Sequence, residues 1–146
     1  KAERYGIPTE LVHRTDFSKS FDRASYTEWV VKVLQKHNVD LVCMAGWMTV
    51  LTQTMFDAFG GQVTNNHPAL LPSFPGAHAV RDALAYGVKV TGCTIHFATA
   101  VMDEGPILAQ KAVEVLPNDT EDSLQERIKV VERLLLPQVL KQLLAA

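Results

Sequence analysis

Residues 40–45 (DLVCMA) form a short, continuous apolar run that ends at Gly46. The run is too brief for an ordinary helix and lacks the alternation of a half-exposed strand. It fits a parallel strand buried on both faces, which obliges the chain to supply helices above and below it. Neighbouring segments meet that demand. Across residues 22–37, Tyr26, Val30, Val33 and Leu34 recur at helical spacing, and Asn38 sits where that helix should stop. Residues 52–59 read as a short helix ended by a left-handed cap at Gly60-Gly61. Residues 62–66 read as the next strand, 79–86 as a helix closed by Gly87, and 90–97 and 107–115 as two more strands. A further short strand is predicted over residues 9–13. Strands that alternate with helices place the chain in the α/β class, with a layered sheet.

The last helix carries Asp119 or Thr120 as N-cap, acids Glu121 and Asp122 in its first turn, and a packing stripe of Leu124, Ile128, Val131 and Leu135. Pro137 should kink that helix or divide it in two. At 146 residues and 47% hydrophobic, the chain is read as one domain, 1–146, with ample material for a core. A formal charge of -2 supplies no global basic field, so nucleic acid is not expected as a partner. Apolar runs such as Leu134 to Leu136 are far too short to cross a bilayer, and no signal-peptide pattern opens the sequence. The two cysteines, Cys43 and Cys93, each lie in an apolar run and read as buried small hydrophobes, which suits a reducing cytoplasm.

Two loops carry the candidate chemistry. Asn65-Asn66-His67-Pro68 closes a strand, and Asp103-Glu104-Gly105-Pro106 follows another strand 36 residues later. Asn65 and His67 are two apart, so on an extended strand end they point to one side. Asn65 can donate an amide N–H to a developing oxyanion, and His67 can donate a proton or a second hydrogen bond. Asp103, if it folds beside them, can fix the His67 tautomer and hold a water that relays protons. Apart from that context, N-x-H-P and D-x-G-P are ordinary turn chemistry. His96 alternates with Ile95 and Phe97 and so faces away from them, toward the same side as the site. His13, His37 and His78 read as surface or packing residues. No H-x-x-x-H or C-x-x-C spacing supports a metal, and no G-x-S-x-G supports a serine nucleophile. Trp47 beside Gly46 is a core candidate that could also line a pocket for a flat ligand. Three prolines between Pro68 and Gly76 should stiffen an exposed loop.

The run NNHPALLPSFPGAHAVRDALAYGVKVTGCTIHF, followed by MDEGPILAQ, resembles the phosphoribosylglycinamide formyltransferases, folate-dependent enzymes of purine biosynthesis. AGWMTVL and ERIKVVERLLLP resemble, respectively, that family's folate-pocket segment and its C-terminal helix. The likeness runs from Lys1 to about Leu140. It implies a Rossmann-like formyltransferase fold with a mostly parallel sheet, here covering the C-terminal two-thirds or more. It also implies transfer of the formyl group of 10-formyltetrahydrofolate to the amine of glycinamide ribonucleotide, without a metal. By position, Asn65, His67 and Asp103 match the catalytic Asn, His and Asp. Trp47, Met48, Val50 and Leu51, with Ala98, Thr99 and Met102, match the folate pocket. Arg23 and Glu132 match residues that meet the ribonucleotide.

Three departures from the family pattern stand out. Asn66 replaces the apolar or Thr residue usual between the catalytic pair, and should need a local partner. Thr49 stands where many relatives carry Arg, which backbone contacts to folate would tolerate. The family pattern opens with a strand and a Gly-Ser-Asn phosphate loop, and residues 1–146 contain no such strand and loop; the fold is expected to be N-terminally truncated, with poor affinity for the ribonucleotide. A homo-oligomer covering the resulting sheet edge is one expectation. Two other activities compete: 10-formyltetrahydrofolate hydrolysis, and a non-catalytic folate-binding or assembly domain. Methionyl-tRNA formyltransferase fits less well, since its HASLLPRWRGA-type segment is absent.

Overall fold

The computed structural model describes residues 1–145. Four strands form one sheet in the order β1 (Val42–Met44), β2 (Val63–His67), β3 (Val90–Phe97), β4 (Ile107–Glu114). Helices α1 (Arg23–Lys36), α2 (Gln53–Ala58), α3 (Ala79–Tyr86) and α4 (Glu121–Ala145) complete the described elements, after a 3-10 turn at Ala2–Tyr5. The α/β class holds. The sheet, however, is mixed rather than mostly parallel. β1 pairs parallel to β2, while β2–β3 and β3–β4 are antiparallel. The link between β3 and β4, residues 98–106, is too short for the crossover that a parallel pair requires.

Two cores flank the sheet. On one side Tyr26, Val30 and Val31 of α1 and Met55 and Phe56 of α2 pack with Val42 and Val63. On the other, Leu124 and Ile128 of α4 and Val80 of α3 pack with Cys93 and Val113. Local chemistry sets the helix ends. Asp22 accepts the Ser25 N–H at the start of α1, and Thr120 and Ser123 exchange reciprocal hydrogen bonds at the start of α4.

Several expectations change. Residues 9–13 form no strand: Val12 gives its carbonyl to the Tyr26 hydroxyl at 3.0 Å and packs its side chain on the α1 core. Cys43 is exposed, not buried, because β1 is the edge of the described sheet and opens on a groove toward Leu140 and Leu144. Cys93 is buried as expected. α4 is not divided by Pro137. Packing before it, at Leu124 and Ile128, and after it, at buried Val139, holds the helix through the missing N–H.

The proline-bearing loop is not simply exposed either. Ala69 and Leu71 are buried, and the hydroxyl of buried Thr94 on β3 ties the loop down. Thr94 Oγ1 donates to the Ala69 carbonyl at 2.7 Å and accepts the Leu71 N–H at 3.0 Å. Gln110 of β4 adds bonds to Thr94 Oγ1 and to the Leu71 carbonyl. Gly92 is required beneath this loop, since a Cβ there would sit 2.1 Å from the Lys111 carbonyl and 2.8 Å from Leu70. Thr94→Val keeps the shape but strands the Leu71 N–H and weakens satisfaction of the Ala69 carbonyl. We expect a loss of about 1–3 kcal/mol in urea unfolding; an unchanged midpoint would show the loop to be held by other contacts.

Candidate active site

β2 ends on His67, so Asn65 and His67 leave the sheet on one side and Asn66 on the other. His67 is 3% exposed. Its Nε2 donates to the Phe74 carbonyl at 2.8 Å; a carbonyl can only accept, so this nitrogen carries a hydrogen. Nδ1 then faces Asp103 Oδ1 at 3.4 Å. Asp103 takes a left-handed backbone, φ 56°, in the turn after β3, and its Oδ2 accepts the Gly76 N–H at 2.6 Å. The loop of residues 68–76 therefore braces both groups with its backbone. Asp103 meets His67 as its spacing allowed, but the stronger constraint on the ring is the Phe74 carbonyl.

Gly105 makes the Asp103 turn feasible. Its φ is +123°, and a Cβ would collide with the Phe97 carbonyl at 2.1 Å. With that space open, the Phe97 N–H reaches the Pro106 carbonyl at 2.9 Å and the turn closes onto β3.

Asn65 Nδ2 lies 3.4 Å from His96 Nε2. The His96 Nδ1–H donates to the Phe97 carbonyl at 2.9 Å, which leaves Nε2 as an acceptor in the neutral ring. Burial pushes the His96 pKa below the ordinary imidazole range, outweighing the opposing pull of the Phe97 carbonyl and the Asp103 charge. A neutral His96 thus holds the amide with its nitrogen inward, and the second amide N–H remains available to a ligand oxygen.

These groups line one cavity of about 350 Å³. One wall is largely apolar: Trp47, Met48, Val50 and Leu51 from the segment after β1, and Ala98, Thr99 and Met102 from the segment after β3. Trp47 donates from Nε1 to the Thr49 carbonyl at 2.6 Å and stacks on Tyr26. Arg14 reaches Thr49 Oγ1 at 3.4 Å while its guanidinium covers the Phe21 ring at 4.0 Å, so a cation from elsewhere in the chain meets the Thr49 side chain. A polar wall comes from α4: Gln125, Lys129 and Glu132. Arg23, at the start of α1, is exposed and does not line this cavity. Of the other histidines, His37 pairs with Glu10 at the surface, and among the described residues no three His, Cys, Asp or Glu side chains cluster as a metal site.

Sequence reasoning missed two kinds of participant. The Phe74 carbonyl and Gly76 N–H are backbone groups, and no side-chain signal points to them. Gln125 and Lys129 did have a signal, because with Glu132 they recur at i, i+4 and i+7 on one helix face. The partner that Asn66 needed is Glu132, at 3.1 Å.

Comparison with known proteins places this geometry. Residues 1–140 match the formyl transferase family. The chain belongs to that family. It is 39% identical over 144 residues to the phosphoribosylglycinamide formyltransferase of Bacillus subtilis, covering 99% of this chain and 72% of that protein. It is 52% identical over 118 residues to the enzyme of that name from Mycobacterium tuberculosis, covering 79% of this chain and 55% of the relative. The crystal structure of phosphoribosylglycinamide formyltransferase from Anaplasma phagocytophilum superposes with a TM-score of 0.85 at 42% identity, over 96% of this chain and 65% of that one. The chain thus spans about half to three-quarters of the length of these relatives. Family membership accounts for the α/β layers and for the co-location of the two loops first singled out as motifs.

The state of His96 can be tested by acid. Its pKa is depressed in the folded protein, so as pH falls through the ordinary imidazole value of about 6.5 the unfolded chain binds a proton that the folded chain refuses. Stability from this group is complete above that value and is lost below it. Replacing His96 by Asn should flatten the decline in urea midpoint between about pH 7 and pH 5; an undiminished slope would assign the acid sensitivity to other groups.

Proposed function

We propose that the chain transfers the formyl group of 10-formyltetrahydrofolate to the primary amine of glycinamide ribonucleotide. The observation that carries this reading is a single cavity lined by Asn65, His67 and Asp103 together with a largely apolar wall and a polar one. The apolar wall suits a flat pterin covered by Trp47, Met48, Val50 and Leu51, with Ala98, Thr99 and Met102 completing it. The polar wall suits the ribonucleotide, with Lys129 as a counter-charge and Glu132 as an acceptor. Arg23, exposed and off this wall, would act only on a part of the substrate that extends beyond the cavity. The names of the relatives point to the same acceptor and to a formyl group as what is transferred, and a cytoplasmic setting follows from this reading.

The residues divide the reaction in a definite way. The amine attacks the formyl carbon, forming a C–N bond, and the carbonyl π electrons move to oxygen. Asn65 donates its free amide N–H to that oxyanion. With Nε2–H held on Phe74, the proton is exchanged at Nδ1 of His67, beside the carboxylate of Asp103. Collapse reforms the carbonyl and breaks the bond to the folate nitrogen. The proton lost by the amine is passed to that nitrogen, directly or through a water held by Asp103.

Loss of the Asn65 donor should raise the barrier by roughly 2.7–4 kcal/mol, so Asn65→Ala should lower turnover by about 10²–10³-fold with folding preserved. The assay follows loss of 10-formyltetrahydrofolate with and without glycinamide ribonucleotide. Consumption that depends on the ribonucleotide supports transfer. Equal consumption in its absence would mean hydrolysis, and parent-like turnover by Asn65→Ala would remove that residue from the mechanism.

A further inference from the structure

Glu132 stands half-buried on the polar wall, and its Oε1 accepts the Asn66 Nδ2–H at 3.1 Å. Asn66 lies between Asn65 and His67 on β2 but projects from the opposite face of the sheet. Among the described residues no cation pairs with Glu132; Lys129, one turn earlier, pairs instead with Glu126 at 2.8 Å. A neutral amide partner leaves the carboxylate its full charge and a second oxygen free to accept.

The same amide is a poor packing choice. Asn66 Oδ1 is buried with no hydrogen-bond partner among the described residues, a state that costs stability. Leucine, of similar shape, would avoid that cost. An amide at this position, where relatives usually carry an apolar residue or Thr, therefore makes sense through its N–H and what that N–H holds.

We infer that Asn66 is a positioning residue, which clamps Glu132, the acceptor on the polar wall, and fixes the direction of its free oxygen toward the amine substrate. This rests on the transfer reading above and assigns substrate selection within it. The reacting amine must meet Asn65 and His67 on one side of β2. What reaches Glu132, on the other side of the strand, is the remainder of that molecule.

The test compares the parent chain with Asn66→Leu, Glu132→Gln and the double variant. Calorimetry measures affinity for glycinamide ribonucleotide and, separately, for tetrahydrofolate; kinetics give KM and kcat. For Asn66→Leu we expect about a tenfold loss of ribonucleotide affinity and a matching rise in its KM, with kcat changed far less. Tetrahydrofolate affinity should stay at the parent value, and the urea midpoint should equal or exceed the parent's. The double variant should bind the ribonucleotide no more weakly than Glu132→Gln alone, because the two residues act as one unit. Parent-like affinity in Asn66→Leu, or additive losses in the double variant, would overturn the clamp while leaving transfer intact. A lowered midpoint with equal losses for both ligands would reduce Asn66 to a structural role and overturn it as well. A parent chain whose consumption of 10-formyltetrahydrofolate does not depend on the ribonucleotide, even at the highest concentration used, would instead overturn the transfer reading, and the clamp with it.

Discussion

Thr94 fixes a loop that has no helix or strand to hold it. Its hydroxyl donates to one carbonyl of the loop and accepts one N–H, at 2.7 and 3.0 Å, in a fully buried setting where neither bond competes with water. Everything downstream in the loop takes its place from that anchor. Phe74 is thereby positioned to offer its carbonyl to His67, and Gly76 to offer its N–H to Asp103. The geometry of the candidate site is thus an outcome of tertiary hydrogen bonding between β3 and a loop, as well as of β2, which carries Asn65 and His67.

Much of this was legible in the sequence. The helical spacing of Tyr26 and Val30, the glycines after α2 and α3, and the N-x-H and D-x-G-P motifs all encode their structure locally. The mixed pairing of the sheet was not legible, since strand direction is decided by connection geometry and not by apolar pattern. The exposure of Cys43 was hidden for a related reason: a buried-strand composition says nothing about whether a strand lies at an edge. The strand expected at residues 9–13 failed because Val12 satisfies its carbonyl with a tyrosine side chain and needs no neighbouring strand. Of the site, side chains with a spacing signal could be found and backbone donors and acceptors could not.

Several locally unfavourable features lie at or beside the cavity. Phe74 and Asp103 are non-glycine residues with positive φ, His96 is buried in its neutral form, and Asn66 buries an unpaired carbonyl oxygen. Each costs free energy that a purely structural core would avoid, and functional sites are where such costs are commonly retained. The apolar cores on either side of the sheet, built on residues such as Met55, Leu124 and Ile128, show the opposite character and supply the offset.

The backbone nature of the brace has an evolutionary consequence. Because Phe74 contributes a carbonyl and Gly76 an N–H, most changes of side chain at these positions leave the partner atoms in being. Insertion or deletion of one residue between Pro68 and Gly76 would displace both at once, and with them His67 and Asp103. Drift in this segment should accordingly be permissive in spelling and strict in length, with the positive φ of Phe74 and Gly76 setting the few positions where spelling also counts.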